Sequence, residues 1–270
     1  MPELPEVETI RRSLEPCIVG QTIAQIQVLQ PRLRRPVPTP RLRRWVRGRK
    51  ITALSRRGKF LLVHLDNGAV MVLHLGMSGR LRFTDRETAC EAHTHLIFSF
   101  AGGGALQFRD PRRFGSVDVC KPGETCLQLL GVEPLSVDFT RDYLGGRCAG
   151  SRRAIKTLLM DQRVVVGVGN IYVSEALFVA RIHPLRESSS LNAEEIERLR
   201  AAIVAVLNKA VQKGGTTLND FRDAHGEPGF FQMELMAYDR EGQPCACCGG
   251  MIQKLLFNGR SAYVCETCQK

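Results

Sequence analysis

Residues 245–268 have the sequence CACCGGMIQKLLFNGRSAYVCETC, in which Cys245, Cys248, Cys265 and Cys268 form the pattern C-x2-C-x16-C-x2-C. Two such pairs of cysteines, each on a tight turn, can surround one zinc ion with four thiolates, and this spacing is typical of zinc sites. A disulfide pair or a chance cluster is the alternative. The pattern predicts a zinc finger with one structural zinc ion per chain, and chemistry at some other place.

The segment between the two cysteine pairs has the pattern of a β-hairpin. Met251–Phe257 is predicted to be a strand, Asn258-Gly259 is a dipeptide that favours a tight turn, and Arg260–Val264 is the returning strand. The hairpin would bring the second cysteine pair back to the first. Cys247 is an additional thiol that the site does not need.

Length and composition indicate a soluble protein with ordinary packed cores. The chain has 270 residues, enough for two domains, and 44% of them are apolar. The start, MPELPEVE, lacks the basic and apolar regions of a signal peptide, and we find no apolar run of the roughly 18 residues that a membrane span needs. We therefore expect a cytoplasmic, nucleoid-associated protein without a membrane partner. In that compartment the cysteines outside the finger are expected to be reduced, as small buried hydrophobic groups or surface thiols: Cys17, Cys90, Cys120, Cys126 and Cys148.

The charge of the chain favours a polyanionic partner. The formal net charge is +11 and the isoelectric point is about 9.4, so nucleic acid is the leading expectation. Residues 31–57 contain eleven Arg or Lys and no acidic residue. A solvated basic face is an equally good explanation of that segment.

The hydrophobic pattern changes along the chain from helix to strands and then to helices. Val7, Ile10 and Leu14 predict an N-terminal helix, and β-rich runs separated by Gly, Pro and Asn turns fill residues 22–119. These runs predict an antiparallel sandwich or barrel. Examples are Ile23–Leu29, Phe60–Leu65, Val70–Leu75, Leu96–Phe100 and Ala105–Phe108.

After residues 131–135 the pattern becomes helical, and we place a domain boundary there. Helices are predicted over residues 152–161, after Asn170, and over residues 193–213. Asn192 and Glu195 have the spacing of a capping box for the last of these helices, and Gly214-Gly215 would end it. Its predicted buried stripe is Ile196, Leu199, Ile203, Val206 and Ala210.

The N-terminal residues could carry covalent chemistry. If Met1 is removed, Pro2 becomes a terminal secondary amine, which is less basic than a lysine side chain and more nucleophilic near neutral pH. Its attack on a sugar aldehyde carbon would give an iminium that acts as an electron sink. Glu3 and Glu6 stand beside it as proton donors or carriers. Helix capping by acidic residues is the plainer explanation of both glutamates.

Three further motifs could contact phosphates or bases. Lys59, in the run Arg56–Phe60, precedes a strand, and phosphate contact is favoured there over use as a nucleophile. Residues 167–170, Gly-Val-Gly-Asn, open a predicted helix, where backbone N–H groups favour a phosphate; a simple turn with an Asn cap is the alternative. Phe114, in residues 110–115, could enter a base stack, although a turn Phe more often packs on its own core.

Together these motifs resemble the bacterial formamidopyrimidine/8-oxoguanine DNA glycosylase family over nearly the whole chain. They occur in the family's order: PELPEVETIRR at 2–12, GKF at 58–60, HLGMSG at 74–79, DPRRFG at 110–115, VGVGNIY at 166–172, GGTTLNDF at 214–221, and the finger. Each motif is weak alone, and the set is highly specific.

The resemblance implies an α+β fold: an N-terminal antiparallel β-sandwich with a flanking N-terminal helix, and a helical domain with a helix-two-turn-helix motif and a β-hairpin zinc finger. The domains would be residues 1–131, 132–239 and 240–270. It also implies that a monomer holds double-stranded DNA, with oxidised purines or abasic sites, in a cleft between the sandwich and the helical domain.

The resemblance also implies roles for single residues. Pro2 would be the nucleophile, Glu3 the acid that protonates the sugar ring oxygen, and Glu6 a secondary proton carrier. Three further groups of residues are expected to bind phosphates around the extruded nucleotide, to fill the space that this nucleotide leaves in the duplex, and to form a loop over the lesion. The phosphate group is Lys59, Asn170 and Arg260, with Lys156 as a further basic residue. The space-filling group is Met77, Arg112 and Phe114, and the lesion loop contains Thr216, Thr217 and residues 226–230.

The chain departs from the family pattern at few positions. Ala92-His93-Thr94-His95 stands where Lys-His-Asp-His is usual, which bears on the expected DNA contact of His93. Arg109 stands where a small polar residue is common, and Cys247 lies unusually inside the first cysteine pair.

The expected activity is that of a bifunctional base-excision enzyme that excises 8-oxoguanine and formamidopyrimidines and cuts the strand by β,δ-elimination, without consuming a cofactor. One alternative is the related endonuclease VIII-like group, which acts on oxidised pyrimidines and usually has Pro-Glu-Gly-Pro where Leu4 stands here. Another is a non-catalytic zinc-finger DNA-binding protein.

Overall fold

The computed structural model describes residues 2–85, 90–216, 223–224, 226–227 and 229–270. They form two compact units: unit 1 is Met1–Gln128 with Gly214–Phe230, and unit 2 is Leu129–Lys213 with Phe231–Lys270. Strands dominate unit 1 and helices dominate unit 2, which confirms the α+β class. The finer division at 1–131, 132–239 and 240–270 stays a prediction.

Unit 1 begins with the predicted helix. Helix α1 spans Leu4–Ile18, and its apolar positions at helical spacing are fully buried against the strands. A shorter helix, α2 (Thr39–Trp45), lies within the basic segment and was not predicted. Leu42 and Val46 are completely buried, so this segment folds with its cations outward.

Among the described residues of unit 1, eight antiparallel strands form two four-stranded sheets. The strands are β1 (Ile23–Val28), β2 (Ile51–Arg57), β3 (Phe60–Leu65), β4 (Val70–His74), β5 (Arg80–Thr84), β6 (Thr94–Phe100), β7 (Ala105–Arg109) and β8 (Ser116–Cys120). Their order is β1-β6-β7-β5 in one sheet and β2-β3-β4-β8 in the other. Both sheets contribute to a common core with α1, which confirms the predicted sandwich.

Unit 2 contains the four remaining helices and the finger. The helices are α3 (Arg141–Cys148), α4 (Ile155–Met160), α5 (Asn170–Val179) and α6 (Ala193–Gln212). Helix α5 is buried on nearly every side. The capping box of α6 forms as predicted, because Asn192 Oδ1 accepts from Glu195 N and Glu195 Oε2 accepts from Asn192 N, each at 2.9 Å.

The predicted hairpin of the finger is present. Strand β9 (Gln253–Phe257) pairs antiparallel with β10 (Arg260–Val264), joined at Asn258-Gly259, where both residues have positive φ. The hairpin packs on its own small apolar cluster, which includes Ile252, Tyr263 and Phe178 of α5.

One expectation about the cysteines was wrong. Cys120 and Cys126 form a disulfide instead of remaining reduced. Lys121 and Glu124 form a turn after β8, with their backbones joined by a hydrogen bond. This turn brings the two Cα atoms to 6.1 Å, within the reach of a disulfide. Among the described residues, Cys17, Cys90 and Cys148 form no disulfide, and burial raises the pKa of Cys148 to about 11.

A search of the described helices finds none with both the length and the apolar character that crossing a membrane requires.

Candidate active site and metal centre

The first turn of α1 holds two buried carboxylates next to Pro2. Pro2 is buried immediately before the helix, and the side chains of Glu3 and Glu6 are each only 1% exposed. Glu6 Oε2 accepts from Glu3 N at 2.7 Å, and Glu6 Oε1 accepts from Thr216 N at 2.7 Å. Glu6 therefore fixes Glu3 relative to Pro2 and also holds Thr216 at the same place.

The close approach of residue 215 to Glu6 requires glycine. Gly215 has φ +80, and a Cβ atom there would lie 2.8 Å from Glu6 Oε1. The backbone thus packs directly on a buried carboxylate, which no larger residue permits without moving it. Thr217, the other residue expected in the lesion loop, lies outside the described residues, as does position 228 of the predicted stretch 226–230.

Lys59 occupies the turn between β2 and β3 and is buried. The adjacent residue, Phe60, pairs with His74 of β4, and their ring centroids are 4.7 Å apart. Burial, together with the positive charges of Lys59 and Arg34, lowers the pKa of His74 to about 4, while Asp110 acts in the opposite direction. His74 is consequently neutral at pH 7, and its Nδ1 accepts from Gly76 N at 3.0 Å.

Asp110 organises the turn formed by residues 110–115. Its side chain is completely buried, and its carboxylate accepts from Ser78 Oγ at 2.6 Å and from Gly115 N at 2.7 Å. Ser78 Oγ in turn accepts from Arg112 N at 3.2 Å. These bonds join the turn to the loop of residues 75–79.

The structure brings Met77, Arg112 and Phe114 onto these two adjoining loops. A Cβ atom on Gly76 would lie only 2.3 Å from the carbonyl carbon of Phe114, so the backbones touch. Met77 and Phe114 are 41% and 43% exposed, and the Arg112 guanidinium lies 4.8 Å from the centre of the Phe114 ring. The predicted trio thus lies exposed on two loops whose backbones touch, and it combines apolar and cationic side chains.

His93 is exposed at a positive φ of 68°, just before β6. Its carbonyl accepts from Asp110 N at 3.0 Å, which ties it to the same turn. His95 is buried instead, and its Nε2 is 2.8 Å from the Asp110 carbonyl oxygen.

Unit 2 carries the other predicted phosphate contacts. Asn170 is the first residue of α5, and its buried Oδ1 has no hydrogen-bond partner among the described residues. Arg260 is exposed at the start of β10, with Nη1 3.7 Å from Met160 Sδ. Lys156 differs from both, because its side chain is only 3% exposed and its Nζ donates to Ser261 O at 2.6 Å and to Ser174 Oγ at 3.3 Å.

The four predicted zinc ligands converge. The Sγ atoms of Cys245, Cys248, Cys265 and Cys268 all lie within 4.8 Å of one another. Two of these Sγ–Sγ distances are 3.9 Å and 3.4 Å, close to the separation of about 3.8 Å in a tetrahedral site with Zn–S bonds of about 2.3 Å. The residues therefore fit one zinc ion, while Cys247 is exposed and outside the cluster.

Several residues of the site were not assigned from the sequence. His74, Ser78 and Asp110 lie inside quoted motifs, but each acts through burial or through contacts that motif spacing does not reveal. Glu175 was not assigned either, and its one signal in the sequence is a charged residue on an otherwise apolar helix. In the structure its carboxylate accepts from the backbone N–H groups of Met236, Ala237 and Tyr238 at 2.7–2.9 Å.

Models of known protein families match most of this chain. Three family models match in order: the formamidopyrimidine-DNA glycosylase N-terminal domain at residues 1–117, the formamidopyrimidine-DNA glycosylase H2TH domain at 130–222, and the zinc finger found in FPG and IleRS at 242–270. Fold and site define the class as a zinc-finger DNA glycosylase, an enzyme of DNA repair.

Similarity to individual proteins extends over the full chain. Formamidopyrimidine-DNA glycosylase of Xanthomonas campestris is 47% identical over 272 residues, covering 100% of both chains. The crystal structure of the MutM (Fpg) protein of Thermus thermophilus has a TM-score of 0.90 at 42% identity, covering 99% of this chain and 98% of that one. A mutant Fpg of Lactococcus lactis, solved with Fapy-dG-containing DNA, has a TM-score of 0.92 at 36% identity, covering 100% of both. Other structures of the Lactococcus lactis protein contain abasic-site DNA and oxidised-pyrimidine DNA. The chain belongs to the formamidopyrimidine-DNA glycosylase family.

Proposed function

We propose that this enzyme is a bifunctional glycosylase and abasic-site lyase that removes oxidised purines, chiefly 8-oxoguanine and formamidopyrimidines, from double-stranded DNA. The observation that carries the proposal is the buried pair of Glu3 and Glu6 beside Pro2. Burying two carboxylates costs stability, and the bonds of Glu6 hold one of them ready beside an N-terminal amine.

The first step uses Pro2 after removal of Met1. The neutral ring nitrogen attacks C1′ of the damaged nucleotide, and the bond from C1′ to the base breaks. Glu3 protonates the ring oxygen O4′, so that the sugar opens and the nitrogen lone pair forms an iminium at C1′. The base leaves with the bonding pair and takes up a proton, which balances the N–H proton that the Pro2 nitrogen loses before the iminium forms.

The iminium then promotes strand cleavage. It acidifies the hydrogens on C2′, so that loss of one of them expels the 3′ phosphate, and a second elimination expels the 5′ phosphate. Glu6 serves as a secondary proton carrier in this scheme. Water finally releases the sugar fragment from Pro2, which regenerates the amine.

Residues on both units are proposed to bind the DNA. Lys59 on unit 1, and Asn170 and Arg260 on unit 2, would contact phosphates around the extruded nucleotide, with Asn170 at a helix N-terminus that favours an anion. Met77, Arg112 and Phe114 would fill the space left in the duplex, with Arg112 facing the unpaired cytosine and Phe114 entering the stack. His93, on the adjoining strand entrance, would add a contact, and Thr216 and Thr217 would belong to the lesion loop.

Zinc supplies structure in this proposal and takes no part in the reaction. Cys245, Cys248, Cys265 and Cys268 would hold it in a closed site, which keeps the hairpin that bears Arg260 folded. We propose that the protein acts as a monomer in the cytoplasm, associated with the nucleoid.

Oxidised pyrimidines are the second candidate substrate. The Lactococcus lactis relative has been solved with such a lesion, so the fold admits one. Leu4, where the pyrimidine-specific group usually has Gly, favours purines.

Single-turnover rates of excision of 8-oxoguanine opposite cytosine and of thymine glycol opposite adenine show whether oxidised purines or oxidised pyrimidines are the preferred substrates. We expect faster excision of 8-oxoguanine. Preference for thymine glycol would move the chain to the pyrimidine-specific activity, and a protein that binds both duplexes but cuts neither would be a non-catalytic binder. Glu3→Gln, which cannot donate the proton, is the matched inactive control.

A further inference from the structure

Lys156 joins the two segments of unit 2 that carry Asn170 and Arg260. Its Nζ donates to the carbonyl oxygen of Ser261, the residue after Arg260, at 2.6 Å. The same Nζ donates to Ser174 Oγ at 3.3 Å, and Ser174 Oγ donates to the carbonyl oxygen of Asn170 at 2.8 Å. A continuous series of three hydrogen bonds therefore connects the backbone beside Arg260 to the backbone of Asn170.

The position of Lys156 suits a structural brace better than a direct phosphate contact. Its side chain is only 3% exposed, and removing an ammonium group from water is costly unless strong hydrogen bonds replace those to water. The bond to Ser261 is short and charge-assisted. An exposed residue such as Arg260 can reach a phosphate without that cost.

Glu175 provides a second brace on the same helix. Its buried carboxylate accepts three backbone N–H groups, from Met236, Ala237 and Tyr238. Six residues separate the end of this segment from Cys245, the first residue of the zinc site. Ser174 of α5 is therefore linked to the finger hairpin through Lys156, and the next residue, Glu175, binds the segment that precedes the finger.

We propose that Lys156 is a positioning residue that, supported by Glu175, sets the spacing between Asn170 and Arg260 and so fixes the phosphate-binding geometry of unit 2. The inference rests on the proposed function of Asn170 and Arg260. It assigns to Lys156 an indirect contribution to DNA binding, made through the finger hairpin and α5.

The test is a double-mutant cycle on the full-length, zinc-loaded protein. The probe is a duplex with a tetrahydrofuran abasic analogue opposite cytosine, and its affinity is measured at several salt concentrations. Lys156→Met should weaken binding on the order of ten-fold, the effect of losing a charged hydrogen bond. In the Arg260→Gln background the same change should weaken binding by less than about two-fold, because Lys156 acts through Arg260.

Equal losses in both backgrounds would overturn the proposal. A direct phosphate contact by Lys156 would also lower the salt slope by about 0.9 in the Arg260→Gln background. Lys121→Met removes an exposed lysine of the turn after β8 and serves as the charge-matched control. If Asn170→Ala and Arg260→Gln both bind like the parent, the proposed phosphate contacts themselves are wrong.

Ser174→Ala keeps the proposal testable if Lys156→Met fails to fold or loses zinc. It removes the hydroxyl that links Lys156 to Asn170 and leaves the bond to Ser261 in place. Binding should weaken by roughly three-fold, and this loss should disappear in the Asn170→Ala background. An unchanged affinity, or an equal loss in both backgrounds, would contradict the proposed link.

Discussion

The carboxylate of Glu6 accepts two backbone N–H groups from parts of the chain that lie far apart in sequence, Glu3 and Thr216. Helix capping was the plainer explanation of Glu6 from the sequence, and the bond to Glu3 N is of that kind. The bond to Thr216 was not predictable, because it depends on how residues 214–216 return to α1. Gly215, with its positive φ, makes that approach possible.

Gly215→Ala should displace Glu6 and slow excision. The new Cβ would lie 2.8 Å from Glu6 Oε1, and displacing the proposed proton carrier should reduce the single-turnover rate on the order of ten-fold or more. Gly48→Ala is the matched control, since Gly48 has φ +76 and nothing within 4 Å of the new Cβ. Both variants carry the backbone strain of about 1 kcal/mol, so equal rates would count against the Glu6 contact.

His74 should make the free energy of unfolding depend on pH. Its pKa is about 4 in the folded chain, below the ordinary value of about 6.5. Between these values the unfolded chain binds a proton that the folded chain does not, so stability falls as pH drops from 6.5 to 4 and is unaffected above 6.5. The loss reaches roughly 3 kcal/mol at the acidic end.

Urea unfolding at pH 7 and at pH 4.5 measures this effect. His74→Gln cannot take up the proton, so its stability should fall less than that of the parent between the two pH values. A parallel fall in both proteins would show that the folded chain does not lower the pKa of His74.

Two turns show what motif patterns predict and what they omit. Asn258-Gly259 predicted the finger hairpin correctly because the turn type is encoded in the dipeptide itself. The turn of residues 110–115 was also expected, but its support by Asp110, Ser78 and Gly76 was not. Those contacts join elements that are separate in sequence, and burial of Asp110 has no local signal. Strands β2, β5 and β8 lie within the region predicted to be rich in strands but were not assigned one by one, and helices α2 and α3 were not predicted, because their sequence patterns are short and mixed.

Phe114→Ala should weaken binding to lesion-containing duplex while leaving the chemical step unchanged. Phe114 is 43% exposed on a turn that is stabilised by a hydrogen bond from Gly115 N to the Asp110 carboxylate. Loss of one base–aromatic stack should weaken binding on the order of ten-fold. Leu129→Ala, which truncates a more exposed apolar side chain in unit 2, should have no effect. Normal binding combined with loss of the single-turnover rate would show that Phe114 is not a wedge.

Removal of zinc should abolish DNA binding by the finger. Cys265→Ser should release the metal, since a closed site needs all four thiolates, and should weaken binding to the tetrahydrofuran duplex as strongly as Arg260→Gln. Cys247→Ser should keep one zinc per chain, because Cys247 lies outside the cluster. Metal content and affinity are measured together. Tight binding by metal-free Cys265→Ser would contradict the role given to the finger.

The change from strands to helices near residue 131 was visible in the hydrophobic pattern, and it separates the strand-rich from the helical part of the chain. The return of residues 214–230 to unit 1 was not visible, because it depends on tertiary contacts such as Phe83 N to Ala224 O. The disulfide of Cys120 with Cys126 was missed because the expectation rested on the reducing conditions of the cytoplasm and did not consider how close the two cysteines lie. Charge predicted a nucleic-acid partner in general terms, and the resemblance of the motifs to the glycosylase family narrowed that expectation to DNA with a damaged nucleotide.

Borohydride trapping on an 8-oxoguanine duplex, followed by mass spectrometry of the digested adduct, tests most directly whether Pro2 forms the covalent bond. We predict that the reduced sugar is attached to a peptide that begins at Pro2, and that only protein lacking Met1 is trapped. Full-rate incision by protein that retains Met1, or an adduct on Lys59, would contradict the proposed mechanism.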